Sequence, residues 1–159
     1  MTGSRKAHGA ALVGTLNTLE AWQAEFILDF RMWCDGPAGQ NAVWNKFATA
    51  RRTQTAHEDL RMFEELIGTI SAQAHRKLVR RDVSCACICS DEAIFLHLVD
   101  IASSGDLHEA AKVASLLVAA AHAERIALLA AHVGGAARDV ARFDPPKPNP
   151  PDTNVVRLH

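Results

Sequence analysis

Three of the chain's four cysteines, Cys85, Cys87 and Cys89, fall within five positions of the stretch RRDVSCACICSDE at 80–92. Thiolates are both metal ligands and nucleophiles, so the cluster opens two chemistries: zinc or iron–sulfur binding, and thiol redox exchange. Spacing limits the first. In an extended segment the three side chains share a face but stand about 6–7 Å apart per step, too far to meet one ion. In a helix only Cys85 and Cys89 share a face. A closed tetrahedral site also needs a fourth ligand, and Cys34 is the nominee if its turn meets the one that holds the cluster. The metal reading therefore joins Cys34, Cys85, Cys87 and Cys89 around Zn or Fe–S.

For thiol chemistry, Cys89 precedes Ser90, the expected N-cap of a helix, where the dipole favours a thiolate. Arg80 and Arg81 act in the same direction, and Asp91 and Glu92 oppose them. Sequence alone leaves the sign of the shift open. A third reading needs no chemistry, because free cysteine is commonly a small buried apolar residue.

Upstream, HRKLVRR at 75–81 places Arg76, Lys77, Arg80 and Arg81 at the C-terminal end of a helix expected over about 55–79. Cations there complement the helix dipole from a solvated face. The same four side chains can dock phosphate or an acidic protein partner. No aromatics are interleaved and no recognition-helix pattern follows, which argues against nucleic-acid readout.

Other chemistry is missing from the pattern. None of the eight histidines has the Glu-x-x-His or i,i+4 spacing of a helical metal site. Nucleophile elbow, P-loop and dinucleotide-binding glycines are absent, and no residue set has a nameable catalytic role. Glu25/Asp29 and Glu64/Glu65 read as carboxylates on solvated helix faces. Trp22, Trp33 and Trp44 read as anchors between the first two helices, with a ligand slot between Trp33 and Trp44 as the sharper alternative.

The elements that must position these residues are helical. A first helix is expected from about 10 to 34, with Leu12, Leu16, Leu19, Phe26, Phe30 and Trp33 on one stripe and Arg31 and Asp29 on the other side. A second is expected near 38–50, with Gly36 and Pro37 in the turn before it. After the one at 55–79, a fourth should span 90–103. A fifth should start at Asp106, whose D-x-x-E pattern with Glu109 resembles a capping box. Whether 106–133 is one helix or two stays open in the sequence, and Gly134-Gly135 is expected to end or kink it.

Length and composition fit this picture. The chain has 159 residues, 48% hydrophobic and 22% charged, as a single soluble domain does. Alanine is abundant and tyrosine absent, which favours helix. A net charge of −1 gives no global pull toward nucleic acid or anionic membrane. No apolar run approaches the roughly 18–20 residues of a membrane span. The N-terminus resembles a secretory signal only faintly, as Gly14 interrupts its apolar patch.

The expectation is an all-α, single-domain bundle of five to six helices over 10–142. It is flanked by a flexible segment at 1–9 and a disordered Pro-rich tail at 143–159, where five prolines fall between 145 and 151. In function, the expectation is a non-catalytic, cytoplasmic interaction or regulatory protein with a partner surface at 75–92. Metal binding or thiol redox sensing at the cysteines is the alternative.

Overall fold

The structure is a computed structural model that describes residues 9–143. It is an all-α bundle. The flexible segment expected at 1–9 and the tail expected at 143–159 lie, but for Gly9 and Phe143, outside the described residues. Six helices are described: α1 (Ala21–Cys34), α2 (Pro37–Ala50), α3 (Thr53–Gln73), α4 (Ser90–Ser103), α5 (Leu107–Leu117) and α6 (Ala123–Arg142). A two-stranded antiparallel ribbon of β1 (Leu12–Thr15) and β2 (Cys87–Cys89) lies beside them. None of the described helices is long and apolar enough to cross a membrane.

The first helix starts later than its periodicity suggests. Leu12 and Val13 are more than half exposed and belong to β1, not to a core-facing stripe. Gly14 and Thr15 disfavour helix there, and the Thr18 hydroxyl donates to the Thr15 carbonyl (2.7 Å) to close a 3-10 turn. Glu20 then caps α1, its backbone N–H donating to the Gln23 side chain (3.1 Å). Pro37 sits not in the turn but in the first turn of α2, where its missing N–H has no consequence.

Helix α3 ends at Gln73, six residues short of expectation. Its continuation is captured by tertiary contacts. Ala74 pairs with Val118 as an isolated antiparallel bridge, and the His75 N–H donates to the Leu117 carbonyl (2.9 Å). The same bridge separates α5 from α6, since Val118 is extended there. Asp106 caps α5 as its sequence foretells, accepting from the Glu109 N–H at 3.1 Å.

Helix α6 is the central element and packs on α1, α3, α4 and α5. It continues through Gly134-Gly135, which do not end it. The reason for Gly134 is proximity. A Cβ there would lie 2.6 Å from the Ser103 Cβ and 2.8 Å from the Val99 carbonyl, so only glycine lets α6 approach α4 this closely. One turn on along the same face, Arg138 stacks over Trp22 (4.1 Å) while pairing with Asp100 (2.5 Å), which ties α6 to both α1 and α4.

An aromatic cluster fills the space between α1, α3 and α4. Phe95 meets Phe30 and Phe26 at ring separations of 5.0 and 5.3 Å, and Phe63 meets Phe26 and Trp33 at 6.1 and 5.4 Å. Phe26, Phe63 and Phe95 are almost wholly buried.

Candidate functional site

Between α3 and β2 the chain runs for thirteen residues, 74–86, without helix or strand. Backbone groups in such a stretch have no regular ladder to satisfy them. Two adjacent carboxylates in the first turn of α4, Asp91 and Glu92, supply the anchorage. Both are buried. Each grips a guanidinium.

Arg31 on α1 is wholly buried rather than solvated. Its Nε and Nη2 donate to Glu92 at 2.6 and 3.0 Å. The remaining donors go to backbone carbonyls: Asp82 (3.2 Å) and Cys85 (2.7 Å) from Nη1, and Cys87 (2.7 Å) from Nη2. All five N–H groups of the guanidinium are thus used. Glu92 also accepts from the Cys89 N–H (3.1 Å), so the cap of α4 is Cys89 and not Ser90. Burial alone would raise the Glu92 pKa; the Arg31 guanidinium and the backbone N–H groups of Cys89 and Arg81 hold it below its ordinary value.

The pair also completes the ribbon. The Ala86 carbonyl and the Ser90 N–H face β1, bonding to Leu16 and Ala11 at 2.8 Å each. The groups between them, the Cys87 carbonyl and Cys89 N–H, face Arg31 and Glu92. A side-chain ion pair therefore stands on the far edge of β2, where a third strand would lie.

Asp91 holds the other end of the segment. It accepts both Nη groups of Arg76 (2.8 and 2.7 Å) and the Val79 N–H (2.7 Å). Gly9 lies directly over this pair, where a Cβ would come within 2.5 Å of Asp91 Oδ2 and Arg76 Nη1.

The expected basic helix end is therefore an ordered, non-helical segment, because Arg76 and Val79 are drawn down to Asp91. Arg80 pairs with Asp35 (3.0 Å) and donates to the Cys34 carbonyl (3.2 Å). Arg81 lies against the Cys85 thiol. Lys77 is exposed and forms no ion pair among the described residues.

The four thiols occupy different surroundings. All are free. Cys89 is buried and donates to the Val79 carbonyl (3.3 Å); burial pushes its pKa up, and the nearby Glu92 and Asp91 charges add to that. Cys85 is shifted the other way, by the Cys87 backbone N–H and the Arg81 side chain, both of which favour its thiolate. Cys34 is half-buried at the end of α1, and burial raises its pKa against the pull of Arg80. Among the described residues no group of three or more His, Cys, Asp or Glu side chains is placed to hold a metal ion, and the four cysteines form no such group.

Beside the segment is a cleft of about 310 Å³. Its apolar walls are Phe30, Ile67, Ile70, Leu78 and Phe95, from α1, α3, α4 and the segment itself. Cys34, Ser71, Lys77 and Arg80 complete the lining. A second, shallower groove runs between Trp33 and Trp44, with Gln40, His57, Arg61 and Glu64 beside it. Trp22, by contrast, is a core residue.

The sequence reading puts Arg31 on the side of its helix away from the apolar stripe and gives Asp91 and Glu92 no role beyond opposing a Cys89 thiolate. One signal for Arg31 was available. It stands four residues after Ile27, which is fully buried, so the two share a helix face. No family model, curated protein or solved structure matches this chain.

Proposed function

We propose that this chain is a non-catalytic regulatory protein of the reducing cytoplasm that docks a protein partner on the surface formed by residues 75–92. One observation carries the reading. Two guanidinium–carboxylate clamps, the wholly buried Arg31–Glu92 pair and a part-exposed Arg76 on buried Asp91, tie down an irregular segment that carries exposed side chains. Ordered irregular segments on a rigid scaffold are where binding residues concentrate. The segment keeps Lys77 free to meet an acidic partner, whereas Arg76 and Arg80 serve the fold.

A photo-crosslinking residue placed at Arg81, at the exposed Ala86 and, as control, at Lys112 on α5 tests this in cells. The expected result is one partner captured from both segment positions, lost with Lys77→Glu at an unchanged melting temperature. Capture from Lys112 instead, or capture indifferent to Lys77→Glu, overturns the reading.

Thiol chemistry keeps a specific observation in its favour: the Cys85 thiolate is favoured by Arg81 and the Cys87 N–H. In this second reading a hydroperoxide oxidises the Cys85 thiolate to a sulfenic acid, with hydroxide or alkoxide as leaving group. The Cys87 thiol then displaces water to give the disulfide. Cys85 should alkylate first of the four at neutral pH and trap dimedone after peroxide treatment. Faster alkylation of Cys34 or Cys89 sinks it.

A further inference from the structure

We propose that the cleft bounded by α1, α3, α4 and the Lys77–Arg80 segment is a binding site for a small amphipathic monocarboxylate, a medium-chain fatty acid in chemical class. Three observations converge. The walls are aromatic and aliphatic, and the volume of about 310 Å³ lies at the lower end of small-molecule sites, roughly 300–1,000 Å³. That suits an unbranched apolar body rather than a cofactor-sized one. The charges in the lining are of one sign. Lys77 and Arg80 are both present and no carboxylate lines the cleft, so an anionic end is attracted and a cationic one repelled.

The two cations differ in availability. Arg80 is already committed to Asp35 and to the Cys34 carbonyl. Lys77 has no ion pair among the described residues. A single free ammonium matches a singly charged carboxylate and falls short of what a phosphate dianion asks of its donors. Cys34 stays a neutral thiol in the wall, where burial favours that form, and so adds apolar surface rather than a competing negative charge.

This site shares Lys77 with the proposed partner surface, but its test uses the ligand alone, so failure of one leaves the other standing. Calorimetric titration of the full chain with hexanoate, octanoate and decanoate should show affinity rising about fourfold per methylene until the cleft is full. Decanoate should slow alkylation of Cys34 while leaving Cys85 unaffected. Lys77→Glu, at an exposed position outside the core, should weaken decanoate by about tenfold and leave 1-decanol unchanged. Decylamine binding as tightly as decanoate, a Lys77→Glu variant with undiminished decanoate affinity, or absence of both heat and Cys34 protection overturns the proposal.

Discussion

Asp29 and Arg31 lie two residues apart on α1, both buried, and each belongs to an ion pair, yet the two pairs behave in opposite ways. On one side Glu92 meets the planar fork of Arg31 and two backbone N–H groups, and its pKa falls despite burial. On the other side Asp29 meets only the Lys46 ammonium (3.1 and 3.2 Å), which is part-exposed and shared with Glu25 at 3.2 Å. Burial dominates there. It lifts Asp29 from 3.8 to about 6, Lys46 offsets only part, and Glu25 adds to the rise. The difference teaches that desolvation is overcome by a full set of directed donors, not by the mere presence of an opposite charge. A stem-mounted point charge on a solvent-facing arm does not replace a fixed fork.

Removing the fork should have the largest effect. Arg31→Met leaves Glu92 buried without its cation and deprives three carbonyls of their donor, at an expected loss of about 3–5 kcal/mol in chemical denaturation. Because the Glu92 pKa is lowered by folding, its stabilisation is present above the unfolded value of about 4.5 and is lost as pH falls through the folded one. The defect should therefore shrink in acid, and Arg31→Met/Glu92→Met should recover part of it at neutral pH. A loss below about 1 kcal/mol would show that the pair is not what holds the segment.

The Asp29 side should yield a smaller effect of opposite sign. Its pKa is raised by folding, so the native state binds the extra proton between pH 4 and 6 and stability declines as pH rises through that window. A shift of about two units corresponds to about 2–3 kcal/mol. Asp29→Asn should remove this slope from the pH dependence of the unfolding free energy, and Glu25→Gln should move the Asp29 titration slightly downward in NMR. Parallel pH profiles for wild type and Asp29→Asn would erase the contrast between the two pairs.

The sequence disclosed what depends on local rules. The 3.6-residue period placed Phe26 and Phe30 on the inward stripe of a helix, and Asp106 with Glu109 announced the start of α5. It misled where distant partners override local preference. Residues 12–15 read as helix but pair with a strand some seventy positions away, and 74–79 continue the period of α3 but are pulled off by Asp91 and Leu117. Gly134 reads as a breaker because the close approach of Ser103 and Val99 is a fact of tertiary packing.

The site was legible as a place and not as a mechanism. Residues 75–92 stood out for their thiols and charges, whereas the side chain that organises them lies on another helix. Nothing in the spacing of Cys85, Cys87 and Cys89 marks Arg31 as the donor to the carbonyls of Cys85 and Cys87.

A ribbon of two strands has two outer edges, and each is a template on which another chain can add a strand. Arg31 and Glu92 saturate the Cys87 carbonyl and the Cys89 N–H, so the β2 edge offers nothing to a newcomer at either residue. A newcomer to the β2 edge would have to displace that pair, and on the β1 side the ladder is irregular between Leu12 and Gly14. The same ion pair that anchors the cysteine segment thereby also stands in the way of a strand adding to its apolar, thiol-bearing edge.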